Sequence, residues 1–537
     1  MQRIWLILFV PALFLASRPT SAQESSLRKF IDAEIQAGWK KNNITPAPQA
    51  SDAAFLRRVY LDLLGTVPSL KETKAFLADT NANKRETLVD RLLEDPRFAE
   101  HQADVWDLVL FGRKPFNIFA TRNRDGFKDW LKEQFARNTP YDELVRQLLT
   151  AQSGGPQMFL VQYRNDPQEA TVGITRKFLG TQLQCARCHD HPFEDWKQTD
   201  FYGMAGFVTR LVVVDKGGKG DDRYMIGEKS TGEVLFTGSA KEQKPGQKGE
   251  PIKPRFLGGD LLKEPAVPEK FKEPDWRRIK KNPPKPFFSR REKLAEWVTH
   301  PKNPYFAKAV TNRVWAQFMG RGQIHPVDDL SATRKPTHPK LFEIMTQQMI
   351  EHKFDLKWFI RELVTSETYQ LASTGKLHDA LPTWYQRARV RPLSAEEMLA
   401  ALRVATGYDE QIRASGKDPA KTKLPNSFDS YTMRYLAEPT DGRGDFQAGL
   451  SEHLLFNNRS QGLISTGKGS LVYEMVQSKA PWPEKVDQLY LSMLTRLPTE
   501  AERKRFVSYL SGEGRTQDLA QDAVWVLLNC SEFRFNH

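Results

Sequence analysis

The sequence predicts a mainly α protein, two helical domains joined by an irregular Gly/Pro/Lys-rich bridge with at most a small β hairpin, and three observations carry that expectation. Apolar residues recur at helical spacing between capping signals on both sides of residues 213–285, that stretch is itself dense in Gly, Pro and Lys, and long alternating strand patterns are missing. Composition agrees: 537 residues, 39% hydrophobic and 11% aromatic, describe a folded chain of several domains. Three cysteines exclude a disulfide framework, so packing must hold the fold.

Residues 1–22 come first. Arg3 precedes an apolar run from Ile4 to Ala16, and Thr20-Ser21-Ala22 supplies the small residues that signal peptidase accepts. A helix over that run reaches only about 20 Å, short of a roughly 30 Å hydrocarbon core, so the segment reads as a cleaved secretory signal rather than an anchor. The expected protein is periplasmic or secreted, with no integral membrane segment after cleavage.

Residues 23–212 read as the first helical domain. Ser51 caps an amphipathic run, FLRRVYLDLL, that stops at Gly65, and ETLVDRLLEDPRF continues the helical period. Thr139-Pro140 places a capping hydroxyl and a first-turn proline before YDELVRQLL.

Residues 213–285 form the expected basic, flexible connector. Between Lys216 and Lys285 there are 17 basic and 11 acidic residues, with 10 Gly and 8 Pro, against a whole-chain net charge of +13. A solvated connector explains this excess without a nucleic-acid face, and an anionic polysaccharide or lipid surface remains open as a partner. GEVLFTG, near residues 232–238, is the candidate hairpin arm.

Residues 286–537 resume the helical pattern. Asn303 to Gly320 runs helically with Gly as its stop, Ser394 and Glu397 form a capping box, and Thr499 with Glu502 forms another. Polar groups cluster at Asn312, Arg313 and Trp315, then at Arg321, His325, Asp328 and Asp329 in GRGQIHPVDDL. An Arg and paired carboxylates beside a His suit acid–base work or a metal; the plainer reading is that Arg313 and Arg321 pair with Asp328 or Asp329 and pin the loop. With no G-x-S-x-G, P-loop, dinucleotide fingerprint or H-E-x-x-H, no enzymatic activity is assigned to this half.

The chemically loaded segment is TQLQCARCHDHPF, Thr181 to Phe193. Cys185, Cys188 and His189 have the C-x-x-C-H spacing of a c-type haem attachment site. On a helix, positions i, i+3 and i+4 share one face, so two thiols can reach the two vinyl groups of a porphyrin while the imidazole reaches its iron. Two other readings compete: a structural zinc held by Cys185, Cys188, His189 and His191, and a Cys185–Cys188 disulfide. Cys530, in the apolar run AVWVLLNC, reads as an inert core residue.

Longer strings carry a resemblance. FLGTQLQCARCHDHPFEDWKQTDFYGMAGF, with LRRVYLDLLGTVPS and LVDRLLEDPRF, resembles the first of two domains of unknown function associated with planctomycete-type c cytochromes. NPYFAKAVTNRVWAQFMGRGQIHPVDDLSATRKPTHPKL, FDLKWFIRELVTSETYQLAS, LYLSMLTRLPTEAER and VWVLLNCSEFRFNH resemble the second. The resemblance implies export and an association with c-type cytochromes. Members often carry a separate cytochrome c domain upstream of the pair; here Cys185, Cys188 and His189 are the haem-binding candidates. His189 is then the proximal iron ligand, and Met204, in FYGMAGF, the candidate for the distal position, with Met158 and His101 as alternatives. Asp190 and His191 read as groups that orient the turn before Pro192.

The expectation is therefore an exported haem c-binding protein in extracytoplasmic electron transfer or redox chemistry, with a redox partner protein or c-type cytochrome as its counterpart. The alternative is a non-enzymatic binding or scaffold protein whose C-x-x-C-H segment holds zinc or nothing and which contacts an anionic glycan or a cytochrome.

Overall fold

The computed structural model describes residues 26–113, 124–164, 166–218, 223–236, 250–279, 281–375, 381–422 and 464–537. The expected signal segment, residues 1–22, lies outside them.

The first half is built of α1 (Leu27–Lys41), α2 (Asp52–Leu64), α3 (Leu70–Ala78), α4 (Lys84–Leu93), α5 (Pro96–Phe111), α6 (Asp125–Ala136), α7 (Tyr141–Thr150), α8 (Pro167–Phe178) and α9 (Gln198–Val208). Local chemistry sets their ends. Ser51 Oγ accepts from Ala54 N at 3.2 Å to open α2, which stops at Gly65 in the left-handed region at φ +65°. Asp95 caps α5, which starts at Pro96, so LEDPRF breaks between two helices. The Thr139 expectation is corrected: Thr139 Oγ1 donates to Gln134 Oε1 at 3.0 Å, and α7 starts without a side-chain cap. The preceding helix offers the hydroxyl a nearer acceptor.

The connector is more structured than its composition suggests. β1 (Leu211–Asp215) pairs antiparallel with β2 (Tyr224–Glu228), and β3 (Val234–Phe236) with β4 (Glu250–Ile252). Gly227 lets the Trp276 ring lie against β2, where a Cβ would come within 2.1 Å of it. Arg290 is fully buried and donates to Glu233 at 2.8 Å and to Gly206 O at 3.1 Å, tying the segment to the helices on both sides.

The second half contains α10 (Arg290–Val298), α11 (Phe306–Met319), α12 (Pro339–Glu351), α13 (Leu356–Val364), α14 (Ala395–Ala405), α15 (Tyr408–Ala414), α16 (Leu471–Gln477), α17 (Trp482–Leu494), α18 (Glu500–Leu510) and α19 (Thr516–Asn529). β5 (Arg391–Pro392) pairs with β6 (Phe535–Asn536), closing the C-terminal helices back onto residue 391. Both capping boxes form: Ser394 Oγ accepts from Glu397 N at 3.1 Å, and Thr499 Oγ1 from Glu502 N at 3.3 Å. The fold is mainly α, and among the described residues the sheets are small and two-stranded.

Apolar packing is not divided at the connector. One hydrophobic cluster runs from Leu27 to Tyr385, and a smaller one joins Leu61 and Val67 to residues from Leu393 to Phe533. Tyr141 of α7 stacks on Phe306 of α11 at 5.3 Å, and Asp32 of α1 accepts from the Glu367 and Thr368 amides at 2.9 Å. Each aromatic ring so buried contributes about 1.5–3 kcal/mol, so the two halves stabilise each other.

Candidate functional site

The C-x-x-C-H segment follows α8 on an irregular stretch held at both ends. At its start Gly180, φ +61°, lies against Leu330, whose Cδ1 would be 2.8 Å from any Cβ there, and Leu330 N donates to Gly180 O at 2.7 Å. Leu183 and Ala186 are fully buried and anchor the chain. Between and after them, Cys185, Cys188 and His189 face solvent, and both cysteines are free thiols.

The expected helix is a single 3₁₀ turn, Cys185–Arg187. Cys188 N and His189 N both donate to Cys185 O, at 3.3 and 3.4 Å, so the three side chains still spring from one turn. The turn does not continue because the next groups have other partners. His191 N donates to Trp196 O at 2.7 Å, Pro192 has no N–H, and Asp190 Oδ1 accepts from Gln198 N at 3.0 Å at the start of α9. Asp190 is thus a helix-end group.

The imidazole of His189 is oriented by a backbone carbonyl. Its Nδ1 lies 2.7 Å from Asp190 O, and a carbonyl oxygen only accepts, so in the neutral ring this contact puts the proton on Nδ1 and the lone pair on Nε2. A neutral imidazole with its other nitrogen hydrogen-bonded in this way is a common form of metal-binding histidine.

The structure brings the two polar clusters of the sequence together. Asp328 pairs with Arg176 of α8 and accepts from Gln182 Nε2 at 3.4 Å, while Glu194 accepts from Ala332 N at 3.1 Å and Thr333 Oγ1 at 3.3 Å. Asn312 holds the other side of GRGQIHPVDDL through paired bonds to Ile324 O (2.7 Å) and Ile324 N (3.1 Å). The loop is pinned by arginines, but not the expected ones: Asp328 takes Arg176, and Asp329 takes Arg334 at 2.7 Å. Arg176 and Glu194 carry no local sequence signal for this role, since their partners lie 152 and 138 residues away.

The distal candidates are interior. Met204 is 2% exposed and Met158 is fully buried, both inside the larger hydrophobic cluster. His101 lies over Gly65, where a Cβ would come within 2.4 Å of its Nδ1, and its Nε2 is 3.9 Å from Glu397 Oε1. Burial holds the His101 pKa below the usual imidazole value despite that carboxylate. Cys530 Sγ donates to Leu527 O at 3.0 Å at the edge of the smaller cluster, and burial pushes its thiol pKa up, away from reactivity. Among the described residues, no group of three or more His, Cys, Asp or Glu side chains is assembled to hold a metal ion, and no helix is long and apolar enough to cross a membrane.

Two exposed thiols and an oriented imidazole thus share one surface turn that is clamped between two regions of the chain. Residues 30–212 match the family described as "Protein of unknown function (DUF1549)", and residues 290–443 match "Protein of unknown function (DUF1553)". The two matched stretches follow one another along the chain, one on each side of residues 213–285. Neither the curated proteins nor the solved structures give a match.

Proposed function

We propose that this protein is an exported haem c-binding protein acting in extracytoplasmic electron transfer, with Cys185 and Cys188 as the thioether positions and His189 as the proximal iron ligand. The observation that supports this best is the turn itself: two free, exposed thiols and an imidazole with an available Nε2, all on one turn. The donor set fits the group. A haem supplies one-electron redox chemistry when bound. The protein's own residues do the positioning: the Asp190 carbonyl orients the imidazole, the Asp190 carboxylate and Glu194 hold the loop, and Ala186 roots it in the core. An exposed turn leaves room for a redox partner protein or c-type cytochrome.

Zinc is the competing occupant, with the protein then a binding or scaffold module. A closed zinc site takes four ligands, and the turn offers two thiols and one imidazole at one place. Purified protein from an exporting host competent in cytochrome maturation should be red, and its colour should resist acid–acetone extraction. A colourless protein with stoichiometric zinc by elemental analysis would replace the haem reading with the scaffold one.

A further inference from the structure

A second candidate site lies where the connector meets α10, and it is independent of the haem reading. Lys293, Glu296 and Trp297 of α10, and His300 just past its end, recur at helical spacing and share one face, while Leu294, Ala295 and Val298 turn the other into the core. Together with Phe256 of the connector and Lys302, these four line an open groove of about 390 Å³, within the roughly 300–1,000 Å³ of small-ligand sites.

The floor of the groove is aromatic. The Trp297 ring stacks on Phe256 at 5.3 Å with 28° between the planes, and Phe256 lies 4.8 Å from the fully buried Phe207, so the rings lead from the core out to the groove. Phe256 and Trp297 are both half-buried and packed against the larger hydrophobic cluster. Tyr305, whose hydroxyl passes Gly258 so closely that a Cβ there would meet it at 3.1 Å, continues the row to Trp196 at 6.4 Å. The rim is polar and fixed. Asn303 Nδ2 donates to Trp297 O at 3.0 Å and its Oδ1 accepts from Tyr305 N at 2.9 Å, which holds the loop carrying His300 and Lys302. His300 Nδ1 accepts from Lys302 N at 3.1 Å, so in the neutral ring Nε2–H is left as a donor. Lys293 donates to Glu296 at 2.8 Å, and those two charges meet each other. Lys302 is exposed and makes no ion pair or side-chain hydrogen bond among the described residues.

We propose that this groove binds an acidic saccharide, with a pyranose ring stacked on Trp297 and its carboxylate or sulfate on Lys302. A pyranose has an apolar C–H face and a rim of hydroxyls, and the groove matches both. The negative face of the indole attracts the C–H groups, while His300 and the Lys293–Glu296 pair offer donors and an acceptor to the hydroxyls. A wholly apolar ligand would desolvate that rim without replacing its hydrogen bonds. The one lining charge left unmet is the Lys302 ammonium, a point charge that favours an anionic ring over a neutral one. The row of rings from Trp297 to Trp196 suits a chain of linked sugars rather than a single one.

The test is calorimetric titration of the full mature chain, at one fixed low ionic strength, with a mannuronate tetrasaccharide, a sulfated galactose tetrasaccharide and cellotetraose as the neutral control. The expected result is saturable binding of an acidic tetrasaccharide, tighter than that of cellotetraose by about fivefold, the scale of one exposed ion pair. Lys302→Gln should remove that margin without moving Tm, since the side chain is exposed and unpaired. Lys479→Gln, the same charge change at an exposed lysine between α16 and α17, should leave the margin in place and so separates the groove from the chain's overall positive charge. Trp297→Ala should weaken binding of every saccharide by about tenfold or more, and Trp297→Phe should restore most of it, which separates lost stacking from misfolding. The tighter of the two acidic probes assigns the substituent as carboxylate or sulfate. No saturable binding of either acidic probe, no preference over cellotetraose, a margin that survives Lys302→Gln, or an equal loss in Lys479→Gln overturns the proposal.

Discussion

The C-x-x-C-H turn and the Asp62–Arg391–Glu397 cluster are opposite ways of using polar residues. The turn exposes Cys185, Cys188 and His189 and is rooted by the buried Leu183 and Ala186. The cluster buries its charges, with Asp62 at 6% and Glu397 at 3% exposure, and one arginine serves both: Arg391 lies 329 residues from Asp62 and six from Glu397. Side chains that face solvent on the turn are held in place by backbone bonds, whereas charge inside the fold is held by other charge. The first arrangement should tolerate substitution better than the second.

The largest expected effect follows from that contrast. Arg391→Met removes the shared partner of two buried carboxylates and should destabilise the fold by about 3–5 kcal/mol, measured by chemical denaturation. A loss below 1 kcal/mol would mean that the cluster is not the tie between the two hydrophobic clusters. Met204→Ala should cost about 2–5 kcal/mol as a core truncation. In haem-loaded protein the same variant separates two roles, since an unchanged spectrum leaves Met204 as packing and a low-spin to high-spin change makes it the distal ligand.

How much the sequence reveals differs between the two regions for a physical reason. The C-x-x-C-H spacing, the Ser51 cap, and the boxes at Ser394 and Thr499 are local, because each bond spans at most a few residues. Glu397 shows the boundary: its capping role is readable from Ser394, yet its second role, pairing with Arg391 beside Asp62, depends on α2 folding against residues 329 positions later. The clamp from Glu194 to Ala332 is equally invisible, as is the continuity of the core across a connector whose composition reads as flexible. Composition reports how often Gly, Pro and Lys occur; it does not report that Arg290 and Trp276 fasten the segment.

That continuity gives a further comparison. A single proteolytic cut within residues 213–285 should leave fragments that stay together in native gel filtration, because α7 and α10–α13 share a core. Fragments that separate without denaturant would show two independent folding units.

Acid should find the charged pairs. Hydrogen bonds from Arg496 hold the Glu502 pKa at about 2, below its ordinary 4.5, against the opposing effect of partial burial. A carboxylate depressed in the folded state contributes stability that is complete above pH 4.5 and is lost as pH falls towards 2. Glu502→Gln should therefore flatten the acid limb of the stability profile in that window and cost about 1 kcal/mol or less at neutral pH. An unchanged acid limb would place the destabilising proton uptake at other carboxylates.

The smallest expected effect on stability belongs to the turn. Cys185→Ala with Cys188→Ala should change unfolding free energy by no more than about 0.5 kcal/mol, since both side chains are exposed. That makes the double variant a clean control for attachment. Intact-mass measurement under denaturing conditions, on protein matured in a cytochrome-competent host, tests the central claim most directly. The wild-type chain should carry the added mass of one haem and the double variant none. A wild-type chain at its apo mass, with zinc bound under native conditions, would contradict the account.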